Sequence, residues 1–93
     1  MGKRARQRPD RLAEKLLQIR VALGLSQTQV VKRLNAEEMI VPGQISEFET
    51  GKREPSLLII LRYARTANIS TDVLIDDELE LPEKLPAKAK HRP

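Results

Sequence analysis

The sequence predicts an all-α fold, a compact domain of five short helices. Apolar residues recur at helical spacing along the chain, and residues that begin or end helices stand between these segments. With 93 residues, the chain can build one modest core but not two domains with a deep cleft. We therefore expect a helical domain over residues 11–76, a flexible N-terminal arm over 1–10 and a C-terminal tail over 77–93.

The first helix is expected over residues 11–23. Asp10 is placed to cap its N-terminus, and Gly24 is placed to end it in a left-handed conformation. The apolar residues that share its inner face by their spacing are Leu12, Leu16, Ile19 and Leu23.

A second helix is expected from residue 27 to 35. The hydroxyl of Ser26 can accept from the amide of Gln29, whose side chain can reach back to Ser26, and this reciprocal pair is a capping box. Val30 and Leu34 then point inward.

The connection that follows is longer than a tight turn. Ten residues separate Leu34 from Ile45, about four more than a turn and a helix start require. The extra residues either extend the second helix by one turn or form a loop that brings Glu37 and Glu38 outward. We expect the extension, to about Glu38. The residues expected to close the core after it are Met39, Ile40 and Val41.

A third helix is expected over residues 42–50. Proline is tolerated in the first turn of a helix, which places the start at Pro42, and Gly51 is suited to end the helix. Ile45 and Phe48 face the core. The exposed face then consists of Gly43, Gln44, Glu47 and Thr50.

A fourth helix is expected over residues 57–67, after Pro55 and Ser56. The run LLIIL alone could be a buried strand, but no turn signal separates it from RYARTA, which favours a helix. Asn68 can take the left-handed position at its end. The expected inner stripe is Leu57, Leu58, Leu61 and Ala64.

A last short helix is expected from residue 71 to about 76, capped by Ser70 and burying Val73 and Leu74. The tail beyond it contains three prolines in ELELPEKLPAKAKHRP and no helical periodicity, so we expect it to be extended or disordered. Its leucines can dock on the domain or on a second copy, and they are Leu79, Leu81 and Leu85.

Charge is segregated along the chain, although the formal net charge is only +4. The first ten residues are basic, and residues 72–83 contain acidic side chains without a base, which we expect to be a solvated collar. The arginines of the arm alternate with other residues, a form suited to the minor groove of a DNA duplex. The arm residues assigned to this contact are Lys3, Arg4, Arg6 and Arg8.

The chain has few groups that catalysis, metal binding or redox chemistry needs. It contains no cysteine, and its one histidine, His91, lies near the C-terminus. We therefore expect no catalytic residue, metal site or cofactor. No apolar run reaches the length of a membrane span and no signal peptide is recognisable, so we expect a cytoplasmic protein. The basic segments lack interleaved aromatic residues, which argues against single-strand or RNA binding.

Three stretches resemble the lambda-repressor-like helix-turn-helix domain of the XRE family. They are LGLSQTQVVKRL, ISEFETGKREPS and LLIILRYARTANISTDVLI, and the resemblance covers about 65 residues, roughly 11–76. It implies a DNA-binding domain in which residues 42–50 form the recognition helix and Gln27 binds phosphate. Residues 35–41 enlarge the turn relative to that family.

The resemblance also implies base contacts from the exposed positions at the start and middle of the recognition helix. Here these are Pro42, Gly43, Gln44 and Glu47. Pro42 and Gly43 offer only close approach, so direct readout falls to Gln44, which suits adenine, and Glu47, which suits a cytosine amino group. The expected DNA backbone contacts are Gln27, Thr28, Lys32, Ser46, Thr50, Lys52 and Arg53. The alternative for these side chains is a solvated surface or compensation of a helix dipole.

The sequence thus predicts a sequence-specific regulator of transcription that binds double-stranded DNA, most simply a dimeric repressor. The alternative is an antitoxin or adaptor whose tail binds a protein partner while the helical domain binds DNA. In the family that the chain resembles, the last helix and the following residues usually form the dimer contact. The corresponding residues are Val73, Leu74, Ile75, Leu79 and Leu81, for which intrachain packing is the alternative.

Overall fold

The computed structural model of the protein describes residues 8–86, which form five helices and no strand. The helices, in chain order, are α1 (Leu12–Leu23), α2 (Gln27–Arg33), α3 (Pro42–Thr50), α4 (Leu57–Ala67) and α5 (Thr71–Ile75). α1 and α2 both pack on α3, and α5 packs on α4 and α1. The expected all-α, five-helix fold is confirmed.

Local capping chemistry sets several of the helix ends. The reciprocal bonds between Ser26 and Gln29 are present, with lengths of 3.1 and 2.8 Å. Gly24, Gly51 and Asn68 adopt left-handed conformations after α1, α3 and α4, as expected. These short-range signals act within one helical turn, so the sequence is sufficient to identify them.

The inner face of α4 differs from the expected stripe. Leu57 and Leu58 are 82% and 60% exposed. The buried residues of this helix are Ile59, Ile60, Tyr63, Ala64 and Ala67. The prediction was right for Ala64 and wrong for Leu57 and Leu58, while Leu61 is half-buried. All five residues of LLIIL are apolar, so only the packing of the following turns selects which of them are buried.

α2 ends at Arg33, so the expected extension to Glu38 was wrong. Asn35 adopts a left-handed conformation with a φ of 57°. The amide of Ala36 then donates to the carbonyl of Val31 over 3.0 Å, and Ala36 is fully buried. Asparagine tolerates this conformation better than most residues, so it can stop a helix as glycine does.

The enlarged turn contributes two side chains to the core. Ala36 and Ile40 are buried, whereas Met39 and Val41 are 41% and 58% exposed. Of the three residues expected to close the core, only Ile40 does so. The carbonyl of Ala36 accepts from the amides of Met39 and Ile40, which closes a short turn and directs the neighbouring side chains to solvent.

Arg62 of α4 fixes this turn from outside. Its Nη1 atom donates to the carbonyls of Asn35 over 2.7 Å and of Leu34 over 3.3 Å. These carbonyls lie at the C-terminus of α2, where a cation is favourable and where no amide of the helix remains to pair with them. The sequence alone does not reveal this contact because the partners are far apart along the chain.

The N-terminus of α1 is capped from the tail. The carboxylate of Asp77 accepts from the backbone amides of Asp10 over 2.8 Å and Arg11 over 3.0 Å. The guanidinium of Arg11 donates to the Asp77 carbonyl and to Glu80, each over 2.9 Å. The expected cap by Asp10 was therefore wrong, and this part of the acidic collar is engaged with α1 rather than only solvated.

The C-terminus of α5 is held by a buried lysine. Lys15 of α1 is completely buried, and its Nζ atom donates to the carbonyls of Val73 over 2.8 Å and Asp76 over 3.0 Å. Ser70 occupies the N-cap position of α5, as expected, but its side chain makes no capping hydrogen bond. Instead the carbonyl of Ser70 accepts from the amide of Val73.

Residues 77–86 form a segment that we call the tail strap. It contains no helix or strand, and Leu81 and Leu85 pack against the core beside Gln18 and Ala22 of α1. The side chain of Asn68 also donates to the Pro86 carbonyl over 3.3 Å. Of the two expected docking partners for these leucines, the chain's own domain is the one observed.

Replacement of Tyr63 by phenylalanine should not destabilise the protein. The hydroxyl of Tyr63 is buried without a hydrogen-bond partner among the described residues, and burial raises its pKa. Removing an unsatisfied polar atom should leave the free energy of unfolding unchanged or raise it by about 1–2 kcal/mol, as measured by urea denaturation. Tyr63→Leu is the control and should lose stability through a cavity. Loss of stability in Tyr63→Phe would contradict this account.

The Asp77 cap should make stability depend on pH in the acid range. The backbone amides of Asp10, and then of Arg11, hold the pKa of Asp77 below its ordinary value of 3.8. The stabilisation is therefore complete above that value and is lost as the pH falls through the lower, folded value. Thermal unfolding should show Asp77→Ala melting below the wild type at neutral pH, with the difference shrinking in acid. A difference that is constant with pH would count against the cap.

Candidate nucleic-acid interface

One carboxylate fixes the relative positions of α1, α2 and α3. Glu49, whose side chain is only 5% exposed, accepts from Arg20 in two bonds of 2.6 and 3.0 Å. It also accepts from the amide nitrogen of Gln27 over 3.3 Å. A bidentate arginine–carboxylate pair restricts orientation as well as distance. The hydrogen bond to Glu49 raises the pKa of Arg20 above its ordinary value, which keeps the guanidinium protonated.

The outer face of α3 is open in the described part of the chain. Ile45 and Phe48 are buried, so Gly43 and Glu47, four residues apart, lie together on the opposite side of the helix. Gly43 and Thr50 are exposed and Glu47 is half-exposed. Apart from the adjoining residues and the backbone of the same helix, no heavy atom lies within 4 Å of the position that a Cβ of Gly43 would occupy. The helix therefore presents an uncovered side of the size that a DNA groove accepts.

Gln44 has a structural role at the start of α3. Its Oε1 atom accepts from the amide of Val41 over 3.0 Å and so satisfies one of the unpaired donors at this helix end. A bidentate contact with adenine requires both the oxygen and the nitrogen of the amide. With the oxygen engaged, the amide nitrogen is the part of Gln44 left to face a base.

Glu47 is paired with a residue that follows α3. Its Oε1 atom lies 2.6 Å from Nε of Arg53, and the two side chains are 39% and 53% exposed. The sequence placed Glu47 among the base contacts and Arg53 among the DNA backbone contacts. The structure brings these two residues together on the outer side of α3.

The other residues expected to contact the DNA backbone differ in their exposure to solvent. Thr28, Lys32 and Lys52 are exposed, whereas Gln27 and Ser46 are half-buried. Gln27 donates to Glu49, and the hydroxyl of Thr50 donates to the Ser46 carbonyl over 3.0 Å. Lys32 and Lys52 are thus the expected contacts that present an unpaired charge to solvent within residues 8–86.

The arm enters the described structure close to the end of α3. Arg8, the only arm residue assigned to DNA that the structure describes, has its Nε atom 3.9 Å from a carboxylate oxygen of Glu54. Arg8 therefore lies beside the segment that follows α3. The other assigned arm residues, Lys3, Arg4 and Arg6, lie outside the described residues.

The residues expected to form a dimer contact separate into two groups. Leu74 is completely buried in the chain's own core, and Val73 and Leu81 are half-buried. Ile75 and Leu79 are 44% and 39% exposed. These two side chains are the members of the expected set that remain accessible to a partner.

The sequence interpretation missed Arg20 and Arg62 as residues that position the site. Arg20 orients α3 through Glu49, and Arg62 holds the turn that precedes α3. A weak signal exists for Arg20, which lies beside the apolar stripe of α1 one turn after Leu16. We find no comparable sequence signal for Arg62.

Among the described residues, no helix has both the length and the apolar character needed to cross a membrane.

Comparison with known proteins agrees with the observed fold. A search of curated proteins gave no match. Among solved structures, the chain is similar to the P22 c2 repressor in its complex with synthetic operator 9T in the presence of Tl+, with a TM-score of 0.61 and 21% identity. The similarity covers 71% of this chain and 94% of that one and shows a shared fold. The family model described as helix-turn-helix matches residues 16–74, more than half of the chain. The protein therefore belongs to the helix-turn-helix family of the XRE, lambda-repressor-like type.

Proposed function

We propose that the protein is a regulator of transcription that binds double-stranded DNA in a sequence-specific manner and places α3 in the major groove. The observation that carries the proposal is the open outer face of α3. On the opposite side of this helix, Glu49 bonds to Arg20 of α1 and Gln27 of α2 and so holds α3 in place. A helix enters the major groove because their widths match, and a second helix across the backbone fixes its angle. α2 is suited to that second role.

The structural neighbour supports the proposal that the protein binds DNA. The P22 c2 repressor was solved on an operator duplex, and its fold is that of this chain. In this family the N-terminus of α2 meets phosphate, and Gln27 and Thr28 occupy that position here. We infer that Gln27 keeps its bond to Glu49 and approaches phosphate through its backbone amide at the helix N-terminus.

Cations flank the proposed reading helix. Lys32 on α2 and Lys52 after α3 are exposed and can neutralise phosphates, with release of the counterions condensed on DNA. Arg8 of the arm lies beside the segment that follows α3. Lys3, Arg4 and Arg6 precede it in the sequence, and we assign them to an adjacent minor groove.

Base preference is assigned to Gly43, Gln44 and Glu47. Gly43 allows the helix to approach the base edges closely, since no side chain projects from it. Gln44 donates its amide nitrogen to a base acceptor while its oxygen remains on the Val41 amide. Ser46 and Thr50 lie at the edges of this surface and are assigned to the DNA backbone.

A two-fold operator requires two copies of the domain about one helical turn of DNA apart. Ile75 and Leu79 are the exposed apolar residues of the expected dimer set, so we assign the contact between copies to them. Such a dimer would repress transcription by occupying the promoter and blocking the polymerase. We place the protein in the cytoplasm, with the DNA. The antitoxin or adaptor alternative is less favoured, because Leu81 and Leu85 of the proposed partner-binding tail pack on the chain's own core.

Selection of bound duplexes from a random pool tests the proposal. The wild type should enrich a two-fold sequence, and Gln44→Ala should change the preference at one base pair of each half-site by about 1–3 kcal/mol. Lys32→Ala is the matched control and should weaken binding to all sequences alike. It should also reduce the salt slope, the dependence of log K on the logarithm of the salt concentration, by about one. The function would be refuted by a wild-type protein that enriches no duplex, and the role of Gln44 by an unchanged preference.

Gly43→Ala should lower the affinity for the operator without lowering the stability of the fold. The added methyl group meets no heavy atom within 4 Å apart from its own helix, and alanine is favoured over glycine in a helix by up to about 1 kcal/mol. Thermal stability should therefore stay the same or rise. Operator affinity should fall, because the methyl group occupies space between α3 and the base edges. Both are measured on the same preparation, by thermal unfolding and by titration of the selected duplex. Unchanged affinity would show that Gly43 does not lie against the bases.

A further inference from the structure

We infer that Arg53, oriented by Glu47, is a specificity-determining residue that recognises a guanine in the major groove. The inference rests on the proposed function and assigns Glu47 a positioning role in place of a direct contact with a base. It follows from the ion pair between these residues on the outer side of α3.

The chain path after α3 brings Arg53 back to the helix. Gly51 adopts a left-handed conformation with a φ of 80°, and the backbone amides of Lys52 and Arg53 then donate to the Glu47 carbonyl over 2.9 and 3.2 Å. The Arg53 side chain reaches the Glu47 carboxylate at 2.6 Å. Its guanidinium is therefore held beside the middle of the outer face, not beyond the end of the helix where a phosphate contact was expected.

The hydrogen-bonding geometry of the pair suits guanine. A guanidinium carries five N–H donors in one plane, and Arg53 uses Nε for Glu47. The edge formed by Nη1 and Nη2 then carries two parallel N–H groups. Guanine presents two acceptors, N7 and O6, on its major-groove edge, and a bidentate arginine is the commonest specific contact with them.

The surface around the pair leaves it open to a groove. Side chains of an α-helix lean towards its N-terminus, so Glu47 leans towards Gly43 on the same face. Gly43 has no side chain and an empty space around its Cβ position. Pro42 has no polar side-chain atom either. Glu47 is thus the charged residue that α3 brings to this face, and its partner Arg53 follows the helix.

The pairing also removes an electrostatic obstacle to DNA binding. A lone carboxylate on the reading face is repelled by the phosphates, whereas the pair has no net charge. Arg53 in the pair adds little non-specific attraction and contributes chiefly through its fit to the correct base. Direct recognition of cytosine by Glu47 would instead separate the two side chains and leave both charges to find new partners.

The test compares the wild-type chain of 93 residues with Glu47→Gln, Arg53→Lys and the double variant. Each is used to select duplexes from a random pool and to titrate a selected and a scrambled duplex at several salt concentrations. The wild type should enrich a guanine at one position of each half-site. Arg53→Lys, which keeps the charge but not the planar fork, should lower discrimination at that position about 5- to 150-fold.

Glu47→Gln should show the positioning role by an unusual pair of effects. Discrimination should fall at the same base pair, because the guanidinium is no longer held. Affinity for the scrambled duplex should rise and the salt slope should steepen by about one, because Arg53 becomes available to phosphate. The double variant should discriminate no worse than Arg53→Lys alone, since both changes remove one contact.

Lys52→Ala is the control for a neighbouring exposed cation. It should weaken every sequence to a similar extent and leave base preference unchanged. Thermal unfolding of each variant should stay close to that of the wild type, because these side chains are exposed or half-exposed.

Two outcomes would overturn the inference and leave the proposed function intact. The first is an Arg53→Lys protein with wild-type preference at every position, which would make Arg53 a phosphate contact. The second is a Glu47→Gln protein that alters a base pair unaffected by Arg53→Lys, which would make Glu47 a direct reader. A wild-type protein that enriches no duplex would overturn the proposed function and this inference together.

Discussion

The structure depends above all on the shared carboxylate of Glu49. A buried charge is costly unless it is paired and hydrogen-bonded, and Glu49 finds Arg20 on α1 and Gln27 on α2. Removing one partner of such a pair typically costs about 3–5 kcal/mol, because the other charge stays buried. The same bonds set the rotation of α3 about its axis. The side of the helix opposite Glu49 is therefore held outward, and the proposed interface is a consequence of this buried pair.

Charged side chains from distant parts of the chain secure the other short helices. Lys15 holds the end of α5, Arg62 holds the end of α2, and Asp77 holds the start of α1. Helices of five to twelve residues have many unpaired end groups relative to their length. The chain has one Phe and one Tyr, so its core is small. Satisfying helix ends across the fold compensates for the limited apolar area.

The enlarged turn and the first residues of α3 together determine which side chains the proposed interface presents to a DNA groove. Residues 35–41 form a loop anchored by Ala36, Ile40 and Arg62, and not an extra helical turn. α3 then begins with Pro42 and Gly43, which bring no polar side chain to its first turn. Gln44 follows, with its oxygen engaged by the amide of Val41. The charged pair of the outer face, Glu47 and Arg53, lies towards the middle and the C-terminal end of the helix, where the chain folds back on it.

The sequence by itself determined the five helices, the bounds of α3 and α4, and the residues that face outward on α3. These depend on contacts within one helical turn, such as the bonds between Ser26 and Gln29, and on the position of Pro42. Only the tertiary structure decided which face of α4 is buried, how the enlarged turn folds and which carboxylate caps α1. The Asp77 cap joins residues 66 and 67 positions apart, and the pairing of Glu47 with Arg53 depends on a chain reversal. Local propensity cannot specify such contacts, because they form only when separate segments pack together.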